Sequence, residues 1–147
     1  MKTKTCTLIA ILALASTSAL AREDHVKVSI KQALAKGQSY KTTIDPDIKL
    51  YFGTQKTPAV AKRIGEYPSN RRTNAANKSD EEACTIAFVS AIAALQERAR
   101  KEGGNAVINI KSSYKNENSE SATEFICGAG KIMAGVSLKG TVVTIKK

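Results

Sequence analysis

Residues 79–111 read SDEEACTIAFVSAIAALQERARKEGGNAVINIK, and this stretch decides the fold. Ser79 followed three residues later by Glu82 is a capping box: the hydroxyl takes the Glu82 N–H and the carboxylate reaches back to the Ser79 N–H. Asp80, Glu81 and Glu82 also place negative charge at the positive end of a helix dipole. Cys84, Phe88, Ala91, Ile92, Leu95 and Ala99 then recur on one helical face, while Gln96, Arg98 and the run Arg100 to Glu102 make the far end polar. Gly103 supplies the left-handed residue that stops a helix, with Gly104 behind it. The pattern predicts one long helix over Asp80 to Glu102. Past the glycines, Ala106, Ile108 and Ile110 alternate with Val107, Asn109 and Lys111, which predicts a strand half-buried on one face, with Tyr114 as its extension.

Working outward, Lys115 to Ser121 (KNENSES) reads as a polar hairpin loop and Thr123 to Cys127 as the returning strand. Met133 to Lys146 reads as a last long strand, with Gly135 and Gly140 as bends or bulges. Upstream, Lys49 to Gly53 and Ala59 to Tyr67 are strand candidates, the second with a bulge at Gly65, and Asp45-Pro46 marks a turn. Pro68 to Lys78 (PSNRRTNAANK) has no apolar periodicity and reads as an exposed loop. Ser29 to Ala35 fits a short capped helix ending at Gly37, or a strand extending the alternation of Val26, Val28 and Ile30. Strands, a long helix and further strands imply an α+β domain: an antiparallel sheet with one long helix packed on one face.

The N-terminus speaks to compartment. MKTKTCTLIAILALASTSALA carries Lys2 and Lys4, an apolar run from Leu8 to Ala15, and Ala19-Leu20-Ala21, the three-part order of a secretory signal peptide cleaved after Ala21. The run is too short to span a bilayer, which takes about 20 apolar residues, and Cys6 precedes it, so no cysteine stands where a lipid anchor would attach. The expectation is a signal peptide over residues 1–21 and a single α+β domain over residues 22–147 that does not span a membrane. Cleavage removes Lys2 and Lys4, so 23 lysines and arginines become 21 against 13 acids, a net charge of +8 in place of +10.

Cleavage also removes Cys6 and leaves Cys84 and Cys127. Two cysteines in an exported domain favour a disulfide. The alternative is a metal site, which would have to borrow His25, the one histidine, and would fall short of the usual four zinc ligands. FICGAGKIMAG (residues 125–135) tempts a phosphate-loop reading, but a Walker loop needs G-x-x-x-x-G-K-[ST]. Phe125 stands where the first glycine belongs and Ile132 follows Lys131. The stretch instead reads as an anchor for the bridge, with its glycines letting the chain turn tightly. No Ser/His/Asp set, free thiol or paired carboxylates mark out an active site, and the Tyr and Phe residues read as core.

SDEEACTIAFVSAIAALQERARKEGGNAVINIKSSYK, followed by FICGAGKIMAGVSLKGTVV, resembles a family of small exported bacterial proteins often labelled excinuclease ATPase subunit. That label conflicts with the failed Walker pattern and the small size of the domain. A looser likeness extends to small proteins described as putative heavy-metal-binding and to the periplasmic domain of the Rcs outer-membrane stress sensor. These resemblances imply the α+β fold and no catalytic residues.

Charge placement stands out most. Lys49, Lys56, Lys62, Arg63, Arg71, Arg72 and Lys78 face only Glu66 within residues 49–78. The bland reading is a solvated basic face that aids solubility. The functional reading is an anion-binding surface built from Lys62, Arg63, Arg71, Arg72 and Lys78. The expectation is therefore a periplasmic or secreted, non-enzymatic binding or sensing module without cofactor. Its partner is an anionic envelope component or an envelope protein, and nucleic acid is no physiological ligand. A metal-binding protein is the alternative.

Overall fold

The structure, a computed structural model, describes residues 23–115 and 117–147. The signal-peptide reading of residues 1–21, Cys6 included, lies outside the described residues. The long helix forms as its caps dictate. α2 (Asp80–Lys101) starts with the Ser79 hydroxyl accepting from the Glu82 N–H at 3.1 Å. It ends at Gly103, whose φ of +78° a side chain would resist, and the Gly104 N–H donates to the Ala99 carbonyl at 2.8 Å. Replacing Ser79 by alanine orphans the Glu82 N–H and is expected to cost about 1 kcal/mol of stability, read by urea titration.

Two short elements precede this helix. β1 (Glu23–Ser29) leads directly into α1 (Ile30–Gly37), capped by Ser29. Of the two readings of Ser29 to Ala35, the capped helix ending at Gly37 holds, and the strand stops at Ser29 instead of running on through Ile30. β2 (Lys49–Phe52), β3 (Val60–Asn74), β4 (Ala106–Tyr114), β5 (Glu117–Ser119), β6 (Glu124–Gly130) and β7 (Met133–Ile145) complete a seven-stranded sheet. It is antiparallel except where β2 runs parallel to β4.

The sheet is organised around β7. β3 pairs with β7 along one side from end to end. On the other side β6 holds the first part of β7 and β4 the second, so the sheet forks. One branch continues from β6 to β1, the other from β4 to β2, and β5 folds back on the end of β4. The buried Ser112 hydroxyl bridges the fork by accepting the Ile126 N–H at 2.9 Å.

α2 lies over one face of this sheet. Ala134, Val136, Leu138 and Val142 of β7 and Phe125, Cys127 and Ala129 of β6 meet Cys84, Phe88, Ile92 and Leu95 in the main core. Phe88 stacks on Phe125 with ring centroids 4.0 Å apart. Cys84 and Cys127 are joined by a disulfide, with Cα atoms 5.8 Å apart, which staples the first turn of α2 to the strand beneath it.

Four sequence expectations need correction. Pro68–Lys78 is not a loop for most of its length, because β3 continues to Asn74. β3 is an edge strand, where proline and arginine are tolerated and one face meets solvent, so no apolar alternation is required. KNENSES contains β5 rather than loop alone. The alternation in β4 breaks at Asn109, whose φ of +48° marks a bulge. As a result Ile110 shares the α2-facing core with Val107, while Ala106 and Ile108 join Val143 in a small cluster on the opposite face. Finally, Gly135 and Gly140 are regular strand positions, opposite Arg72 and Tyr67. The bulges fall in the partner strand, one of them at Gly65 as its sequence suggested.

Candidate functional site

Arg71 and Arg72 are neighbours in an extended strand, so they point to opposite faces of the sheet. Arg71 sits opposite Val136, on the α2 side, and Arg72 opposite Gly135, on the other. Lys62 and Arg63 divide in the same way farther down β3, opposite Thr144 and Val143. Lys78 lies beyond the strand, where its N–H closes a turn on the Ala75 carbonyl at 3.1 Å. The five residues therefore form no single anion-binding patch. Two grooves, one on each face, take Arg71 and Arg72 separately, and Lys62, Arg63 and Lys78 line neither.

The first groove, of about 560 Å³, runs between β3 and the C-terminal half of α2 and is lined by Arg71, Arg98 and Lys101. Most of its charge is already answered. Arg98 pairs with Glu102 and Lys101 with Glu97, each at 3.0 Å. The Lys101 hydrogen bond, more than any other influence, holds the Glu97 carboxyl below its usual range. Arg98 also lies over the Tyr67 ring, 4.3 Å from its centroid. Arg71 donates to its neighbour's carbonyl, that of Asn70, at 2.9 Å.

The second groove, of about 500 Å³, lies at the opposite face, between the end of β4 and the β6–β7 hairpin. Its cations are Arg72, Lys115 and Lys131, and its lining holds one carboxylate, Glu23. The floor is Gly128, Gly130 and Gly135. These glycines do not turn the chain beside the bridge, since Gly128 and Gly130 belong to β6 and Gly135 to β7. At Gly128 the missing side chain makes room, because a Cβ there would lie 2.1 Å from the Tyr114 hydroxyl oxygen. Tyr114 packs across that space. It donates to Glu23 Oε1 at 2.7 Å while Lys115 holds the other carboxylate oxygen. Burial, reinforced by Glu23, pushes the Tyr114 phenol up to about 12, so it remains a neutral donor. Glu23 is held below the ordinary carboxylate range, chiefly by Lys115 and then by Tyr114.

His25 borders this cluster. Its ring meets Tyr114 edge-on at 5.3 Å, and Nδ1 lies 2.7 Å from Glu117 Oε2. It projects from the face of β1 opposite Val26, whose strand partner is Cys127. Both cysteine sulfurs are bonded to each other, and His25 is on the far side of the sheet. The two-Cys, one-His ligand set is therefore not brought together. The GAGK run is likewise the end of a strand and a hairpin turn, with Gly128 and Ala129 paired to β1 on one side and β7 on the other.

No family model, curated protein or solved structure matches this chain.

Of the candidate residues, Arg72 alone enters the second groove and Arg71 alone the first. Sequence reasoning missed Tyr114, Lys115, Glu23 and Lys131. Tyr114 extends β4 as its sequence suggests, and there, beside the hairpin, β5 and β1 bring it to Glu23 from 91 residues away. Only the Tyr-Lys step at the mouth of KNENSES hinted at this. Among the described residues, no helix is long and apolar enough to cross a membrane.

Proposed function

We propose that this chain is an exported, non-enzymatic binding module that docks an anionic component of the bacterial cell envelope. The second groove carries the reading. Three cations line it against one carboxylate, Glu23, and because Lys115 and Tyr114 hold that carboxylate, Arg72 and Lys131 are the charges that face a ligand. The signal-peptide pattern over residues 1–21 supports export with cleavage after Ala21. The Cys84–Cys127 bridge fits an oxidising compartment, periplasmic or secreted. The family resemblance supports a bacterial envelope setting, and the fork of the sheet supplies a rigid frame for the groove rather than a reaction centre.

The test is binding of the exported protein to soluble polyphosphate across a salt series. Affinity should fall as salt rises. Arg72→Ser combined with Lys131→Ser should weaken binding about tenfold or more at low salt, since each basic group at an anionic surface is worth about 1 kcal/mol. Arg71→Ser, on the opposite face of the sheet, should change little, and none of the three should move the melting temperature. Salt-independent binding, or equal losses from Arg71→Ser and Arg72→Ser, would remove the second groove as the docking site.

A further inference from the structure

The β6–β7 turn carries an unusual pair of side chains. Ile132 is 71% exposed and its neighbour Met133 is 48% exposed. Among the described residues these are the large hydrophobic side chains left open to solvent. Single exposed apolar residues are common on any surface. Two in succession at a hairpin tip, flanked by cations, are a different arrangement. Lys131 immediately precedes them, and Arg72 and Lys115 line the same depression.

The tip is also held in place. The Ile132 carbonyl accepts the Ala75 N–H at 2.7 Å, and Gly128–Gly135 and Ala129–Ala134 pair the two strands behind it. Met133 is itself paired to Asn74 of β3. The backbone is thus fixed before any ligand arrives, and only side chains need ordering on binding.

We propose that this tip docks on an anionic phospholipid bilayer, with Ile132 and Met133 entering the interface while Lys131 and Arg72 contact lipid phosphates. The proposal rests on the anion-docking reading above and names its partner. The apolar pair decides between partners. A soluble anion would engage the cations and leave Ile132 and Met133 in water. A stable protein partner typically covers about 800 Å² on each side, with an apolar centre, and two adjacent side chains beside a basic groove supply a narrower contact. An apolar tip beside a lysine and an arginine matches the bilayer boundary, where hydrocarbon burial and attraction to anionic headgroups act together. Glu23 does not oppose this, because Lys115 and Tyr114 hold its carboxylate.

The experiment is co-sedimentation of the exported protein with phosphatidylcholine vesicles, with and without phosphatidylglycerol. Binding should require phosphatidylglycerol. Ile132→Ser with Met133→Ser should weaken vesicle binding about tenfold, from the lost apolar burial, and leave polyphosphate binding unchanged. Arg72→Ser with Lys131→Ser should weaken both. The chain has no tryptophan, so Ile132→Trp provides a second readout, a blue shift of emission on anionic vesicles alone. Vesicle binding that survives the double serine change, or an unshifted Ile132→Trp emission, overturns the proposal. Binding to polyphosphate without binding to vesicles overturns it too, while leaving the anion-docking reading in place. Loss of both in the unaltered protein defeats both.

Discussion

Protein carrying Cys84→Ala and Cys127→Ala together is expected to lose about 4 kcal/mol of unfolding free energy, the chain-entropy value for cysteines 43 residues apart. For a domain stable by about 5–15 kcal/mol, that is a large share. The corresponding fall in melting temperature is on the order of 10–20 °C. Location matters as well as loop length. The bridge ties the first turn of α2 to β6, and α2, β4 and β5 lie on the chain between its ends. Without it the unfolded chain regains the freedom of that whole segment, and both substituted positions sit in a closed core. Either single change should cost about as much, because each removes the same cross-link. The checks are thermal melts of the variants and alkylation of unreduced, denatured protein. An unchanged melting temperature, or two alkylatable thiols in the unaltered protein, would defeat the prediction and return the metal-site alternative to consideration.

The bridge was legible because it needs only local logic: a helix face that includes Cys84, a following strand that includes Cys127, and the oxidising destination that the N-terminal pattern leads one to expect. The long helix was legible for the same kind of reason, since Ser79, Glu82 and Gly103 act within one turn of its ends. What the sequence hid was set by partners distant in the chain. β3 past Tyr67 has almost nothing apolar to offer, and only Ser69 in that stretch is buried, through its hydroxyl donating to the Ala91 carbonyl at 2.9 Å. Its strand character comes from the β7 ladder. The bulge at Asn109 moves Ile110 to the α2 face, which no alternation count reveals. The parallel pairing of β2 with β4 depends on a crossover through β3 and α2. The candidate site suffered most. The charge density along residues 49–78 is plain in the sequence, yet a strand deals successive residues to opposite faces. Once β3 is extended, one basic run becomes two half-sites, and tertiary contacts decide which half remains unneutralised.

The same lesson holds inside the core at Gln96, which helical spacing assigns to the polar end of α2 but which is almost fully buried. Both of its amide N–H groups and its oxygen are engaged. Oε1 accepts the Asp45 N–H at 2.8 Å, and Nε2 donates to the Asp45 and Ile48 carbonyls at 2.8 and 2.9 Å. One turn later, Arg100 binds the Asp45 carboxylate from outside and is the main cause of that group's lowered pKa. Together they seat the Asp45-Pro46 turn against the helix, just where β2 begins beside β4 with the Lys49 N–H on the Asn105 carbonyl at 3.0 Å. The two contacts should differ sharply in energy. Gln96→Leu keeps the helix propensity and much of the volume but leaves three backbone groups without their partner. Each such group costs about 1–3 kcal/mol when sealed from water, and the Asp45 pair is only partly sealed, so the expected loss is about 2–4 kcal/mol. Arg100→Ser breaks an exposed ion pair and should cost far less. Hydrogen exchange separates these effects, because Gln96→Leu should strip protection from the Asp45 amide while Arg100→Ser leaves it largely intact. If Gln96→Leu is as stable as the unaltered protein and the Asp45 amide stays protected, then the β2–β4 ladder alone holds the turn, and the buried amide contributes nothing to its position.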